Sequence, residues 1–103
     1  MRAHSLLLLA LMHVCAPVAA GERHMIVIDA MEFKPRTLSV RAGDTVTFTN
    51  KDPFPHTAAS VKPAFSSPEI RSGKSWSMVV RGKGDVDYIC TLHPTMKARL
   101  TIR

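Results

Sequence analysis

From residue 25 to the end of this chain, no stretch is long enough without interruption to form a substantial helix. Segments of four to eight residues rich in Val, Ile, Thr and aromatics are cut apart by Gly, Pro, Asp and Ser. Residues 25–29, 37–41, 45–50, 76–80, 86–90 and 97–103 each read as a strand. In 45–50 the alternation is clean: Val46 and Phe48 share one face, while Thr45, Thr47 and Thr49 share the other. Leu100 and Ile102 point inward by the same rule. Pro53 and Pro55 exclude a helix after 45–50, and Pro63, Pro68 and Gly73 leave 62–74 as a loop with at most one helical turn. About seven strands and no long helix predict an all-β fold, a single-domain β-sandwich.

The first twenty residues have a different character. A short start carrying Arg2, an apolar run from Ser5 to Met12 and the small residues Val18-Ala19-Ala20 predict a signal peptide (1–20), cleaved to leave one domain, 21–103. The apolar core is too short to anchor in a bilayer, and Val14 argues against lipidation at Cys15. The expectation is a periplasmic, freely diffusing monomer with no membrane insertion. The formal net charge of +6 has no consecutive basic run, which favours an acidic partner surface and speaks against nucleic acid.

Of the two cysteines, only Cys90 lies beyond the leader, so no intrachain disulfide can form. A lone thiol in an oxidising compartment is either buried and inert or a metal ligand. Cys90 opens the run Cys90-Thr91-Leu92-His93-Pro94-Thr95-Met96, a C-x-x-H-x-x-M loop between two strands. Thiolate, imidazole and thioether form a soft donor set, and two imidazoles with a thiolate and a weak axial thioether define a type 1 copper site. Zinc is excluded by the thioether, and covalent haem needs two cysteines. Each residue alone has a plain structural reading, Cys90 as a small buried hydrophobe and Met96 as core filler; their joint spacing in an exported chain favours copper. The missing imidazole comes from His24, at an amino terminus expected to be ragged, or from His56, directly after the Pro53-Phe54-Pro55 turn. By elimination and position the ligand set is His56, Cys90, His93 and Met96.

The chain resembles the cupredoxins, and within them the amicyanin and plastocyanin group. The resemblance runs through Phe33-x-Pro35, Leu38-x-Val40-x-x-Gly43-Asp44-x-Val46-x-Phe48-x-Asn50, Pro55-His56 and Tyr88-x-Cys90-x-x-His93-x-x-Met96. The two residues between His93 and Met96 resemble the short ligand loop of amicyanin. The resemblance implies a Greek-key sandwich holding one copper ion that cycles between Cu(I) and Cu(II). It implies an electron carrier serving a dehydrogenase or c-type cytochrome, and not an enzyme, because protein ligands fill all four positions. A copper chaperone or resistance protein is the alternative, and the absence of Met-rich or His-rich runs disfavours it. The chain departs from the pattern at Thr57, where many relatives have Asn, which predicts a weaker link between the two ligand loops.

Pro53, Phe54, Pro55, Pro94 and Met31 are candidates for an apolar patch around His93. Lys51, Lys97 and Arg99 would give it a basic rim, opposed only by Asp52. Trp76 and Tyr88 are assigned to the core, with the Tyr88 hydroxyl near a strand edge, and Ile89 faces the opposite way.

Overall fold

The computed structural model describes residues 21–103; the expected signal peptide (1–20), with Cys15, lies outside the described residues. Eight strands occur in chain order: β1 (Arg23–Asp29), β2 (Glu32–Lys34), β3 (Thr37–Val40), β4 (Thr45–Asn50), β5 (Ala59–Ser60), β6 (Ser75–Val79), β7 (Gly84–Ile89) and β8 (Lys97–Ile102). They form two four-stranded sheets, β2-β1-β4-β6 and β3-β8-β7-β5. The β1–β4 and β3–β8 pairs are parallel and the remaining ladders antiparallel. The expected β-sandwich is present, with no helix among the described residues. The two strands that the sequence did not signal, β2 and β5, are three and two residues long, too short to show a period.

The period of two sets the layers. Ile26, Ile28, Val46 and Phe48 of the first sheet are fully buried, as are Tyr88 and Leu100 of the second. Each of the aliphatic and Phe side chains among them contributes about 1.5–3 kcal/mol by leaving water. The outward threonines are tied across strands, Thr47 to Ser77 at 2.7 Å and Thr49 to Ser75 at 2.8 Å, in the register of the β4–β6 ladder. Between the sheets, the Tyr88 ring meets Phe33 edge-on at 4.8 Å and Phe48 at 5.6 Å. Trp76 is half-buried and packs on Phe48 at 5.9 Å. The Tyr88 hydroxyl, expected near an edge, is instead buried with no hydrogen-bond partner among the described residues. Burial pushes the Tyr88 phenol well above its usual range.

His24 is not ragged. It lies within β1 opposite Val46, with Nε2 2.9 Å from Asp44 Oδ2. Asp44 also accepts the backbone N–H groups of Glu22 and Arg41, each at 2.9 Å. The turn before β4 needs a left-handed residue, which Gly43 supplies at φ 94°.

Parallel pairing places the ends of β1 and β4 together, with Ile28 opposite Asn50. The β1–β2 turn and the loop after β4 therefore lie at one end of the sandwich, where contacts of Thr57 with Cys90 and Thr91 bring the loop from β7 to β8 to meet them.

Candidate metal centre

Cys90 shares the inward parity of Tyr88 and is fully buried. Its loop turns back twice: His93 N–H donates to Cys90 O at 3.2 Å, and Met96 N–H donates to His93 O at 2.9 Å. Cys90 N–H then closes the loop on Met96 O at 3.1 Å. This folding leaves Met96 buried and His93 half-buried. On the other loop, His56 is locked by a two-way backbone bridge to Ile70, at 3.1 and 2.7 Å, and is fully buried.

These constraints aim two imidazoles at one sulfur. His56 Nδ1 lies 3.7 Å from Cys90 Sγ and His93 Nδ1 lies 3.8 Å from it, with the rings 5.0 Å apart at 59°. Metal–ligand bonds of roughly 2.0–2.3 Å at angles near 120° would separate neighbouring donor atoms by about 3.8 Å. The donor spacing and softness therefore fit a trigonal copper site, with the Met96 thioether as the remaining soft group. His24, the competing imidazole, is held by Asp44 on another part of the molecule. Glu22, His24 and Asp44 are close enough to suggest a second cluster. Asp44 is already committed there to three N–H donors, so its arrangement is structural.

The surroundings hold the donors in place. Thr57 N–H donates to Cys90 Sγ at 3.4 Å. Thr57 Oγ1 accepts from Thr91 N–H at 2.8 Å and lies 2.7 Å from the Thr91 hydroxyl. Thr57 thus makes the link between the ligand loops that the loss of Asn was expected to weaken. Asn50, fully buried, donates to Phe54 O and Ile70 O at 2.7 and 2.9 Å and accepts Asp52 N–H at 2.9 Å, which shapes the whole loop.

Two charged residues near the site also differ from the sequence reading. Asp52, expected to oppose the basic rim, is 4% exposed and faces inward, 2.8 Å from His56 Nε2. Burial opposes its ionisation, but hydrogen bonds from Met31 N–H, His56 and Ala30 N–H outweigh that and hold its carboxyl below the usual range. Arg99, expected on the rim, is engaged by Asp87 at 2.7 Å and Asp85 at 3.6 Å. Lys51 and Lys97 remain exposed. Phe54 and Met31 are exposed at this end, and Leu92, not anticipated there, joins them.

Comparison with known proteins agrees with this geometry. Residues 2–102 match the family described as the cupredoxin-like domain. Amicyanin-alpha from Methylorubrum extorquens is 32% identical over 92 residues, spanning 84% of this chain and 75% of the relative. A structure of the Cu(I) form of an amicyanin variant is 30% identical with a TM-score of 0.73, covering 85% of this chain and 88% of that one. A purple cupredoxin from Nitrosopumilus maritimus is 28% identical with a TM-score of 0.72, covering 78% and 99%. On sequence, fold and donor arrangement together, the chain belongs to the cupredoxin-like family and is suited to one type 1 copper ion.

Proposed function

We propose that this chain is a periplasmic type 1 copper protein that carries single electrons between redox partners, with His56 Nδ1, His93 Nδ1, Cys90 Sγ and Met96 as the ligands. The observation that carries the reading is the convergence of two Nδ1 atoms, at 3.7 and 3.8 Å, on one buried sulfur. When bound, copper supplies a one-electron couple. The protein's part is to keep the donors still. The backbone bridge fixes His56, the loop hydrogen bonds fix His93 and Met96, and Thr57 N–H satisfies the sulfur, so little has to move between oxidation states.

His93 is the ligand nearest solvent, and Phe54, Leu92 and Met31 supply exposed apolar surface at the same end. Such a surface suits brief docking, with water displaced between two redox centres. Lys51 and Lys97 favour a partner with an acidic face, a dehydrogenase or a c-type cytochrome. The protein is a carrier and not an enzyme, because the four protein donors leave no position for a substrate.

Copper loading of the purified protein followed by optical spectroscopy and voltammetry tests the proposal. An intense visible thiolate band with a reversible one-electron wave is expected. Colourless copper binding, or release of the ion to an acceptor protein in place of an electron, would count for the copper-handling alternative.

A further inference from the structure

Behind His56, on the side away from Cys90, one carboxylate collects three N–H groups from two separate parts of the chain. Asp52 Oδ1 accepts from Ala30 N–H at 2.7 Å, while Oδ2 accepts from Met31 N–H at 2.9 Å and from His56 Nε2 at 2.8 Å. Ala30 and Met31 form the two-residue turn between β1 and β2, both in left-handed conformations at φ 50° and 61°. That turn type ordinarily takes Asn or Gly, because a side chain in the left-handed region is strained. Strain of this kind persists only where the surroundings hold it. Here the holding group is a buried carboxylate that also touches a ligand.

We propose that Asp52 is a positioning residue of the copper centre: anchored by the Ala30-Met31 turn, it fixes the His56 ring and lowers the reduction potential. The inference rests on the copper reading above.

Three consequences of the geometry support it. The hydrogen bond to Oδ2 places the ring proton on Nε2, leaving the Nδ1 lone pair facing Cys90 Sγ. A carboxylate on the far nitrogen raises the basicity of the near one and brings negative charge close to the site, which favours the more highly charged Cu(II). The turn N–H groups grip both oxygens of the carboxylate, and Asn50 Oδ1 grips the Asp52 backbone, so Asp52 cannot swing out to solvent when the metal charge changes. A residue serving only to brace the turn would need none of its contact with His56.

The test uses the full mature protein with Asp52→Asn, and Asp52→Ala as the second variant should the first fold poorly. Voltammetry is expected to show the Cu(II)-to-Cu(I) affinity ratio falling at least about tenfold, a potential raised by roughly 59 mV for a one-electron couple, with the visible band retained. Nitrogen-15 NMR of the metal-free wild type is expected to show His56 protonated at Nε2 with a slowly exchanging proton, and the variants to lose that protection. A potential unchanged in both variants, or a wild-type His56 protonated at Nδ1, overturns the inference. Should the wild type take up no copper, the proposed function fails by itself, while the NMR measurement still decides whether Asp52 orients His56.

Discussion

Thr57 and Cys90, 33 positions apart, are joined by an N–H to sulfur hydrogen bond of 3.4 Å, and the Thr57 hydroxyl receives Thr91 N–H at 2.8 Å. One residue of the His56 loop therefore reaches the Cys90 loop twice, once by its backbone and once by its side chain. Thr57→Val removes only the side-chain half. It is expected to destabilise the metal-free protein by about 1 kcal/mol in urea unfolding, the scale of one lost hydrogen bond. The visible band should persist, because the backbone N–H remains. An unshifted unfolding midpoint would show that the hydroxyl link carries no stability.

Cys90→Ser is expected to abolish the visible band and leave the fold intact. Cys90 is a small side chain within the core cluster, and the sandwich is built by Ile26, Phe48, Tyr88, Leu100 and their neighbours. Optical spectra with circular dichroism check both halves, and a retained band would refute the ligand assignment.

Met96→Gln should keep copper and lower the potential, since a harder oxygen donor favours Cu(II). Voltammetry that shows no change would remove Met96 from the axial position.

Among the described residues, the charges at the copper end separate into those without an ion-pair partner and those engaged. Lys97 is exposed, whereas Arg99 is held by Asp85 and Asp87. Lys97→Glu should therefore slow electron transfer to an acidic partner and flatten its salt dependence, with screening over roughly 10 Å at 0.1 M. Arg99→Ala should alter the rate much less. Stopped-flow rates that fall equally for the two variants would show that the pairing does not neutralise Arg99.

Stability should depend on acid pH through Asp44. The backbone N–H of Arg41, the His24 ring and the N–H of Glu22 hold its carboxyl below the usual range against the opposing effect of burial, with the Arg41 bond the largest contribution. A folded value below the unfolded one, about 3.9, means that this stability is complete above that pH and is lost as pH falls through the folded value. Thermal unfolding of the metal-free protein from pH 6 to pH 3 is expected to fall more steeply for the wild type than for Asp44→Asn. Equal slopes would assign the acid sensitivity elsewhere.

The legible parts of the molecule were those in which local spacing carries the information. Val46 and Phe48 against three threonines revealed β4, and the spacing of Cys90, His93 and Met96 revealed the ligand loop. The residues misjudged were those whose role depends on a distant partner. Asp52 looks like a surface charge until the Ala30-Met31 turn is seen to cap it. His24 looks frayed until Asp44 is placed beside it, and Arg99 looks free until β7 brings up Asp85 and Asp87. Short hydrogen-bonded contacts across a dozen or more positions leave no period in a sequence. Tyr88 shows the same limit: parity placed its ring correctly, but only the packed structure reveals that its hydroxyl has no partner among the described residues.

The position of β8 bears on how the protein is assembled. The last of the eight strands lies inside its sheet, between β3 and β7, and its partner β3 is formed from residues some sixty positions earlier. A nascent chain emerging amino terminus first cannot complete that sheet until Lys97–Ile102 has appeared, and such distant pairing is intrinsically slow. Cys90, His93 and Met96 immediately precede this strand, so the metal pocket and the final closure of the sandwich take shape in the same late event. A partly emerged chain thus has no finished pocket in which to trap an ion prematurely.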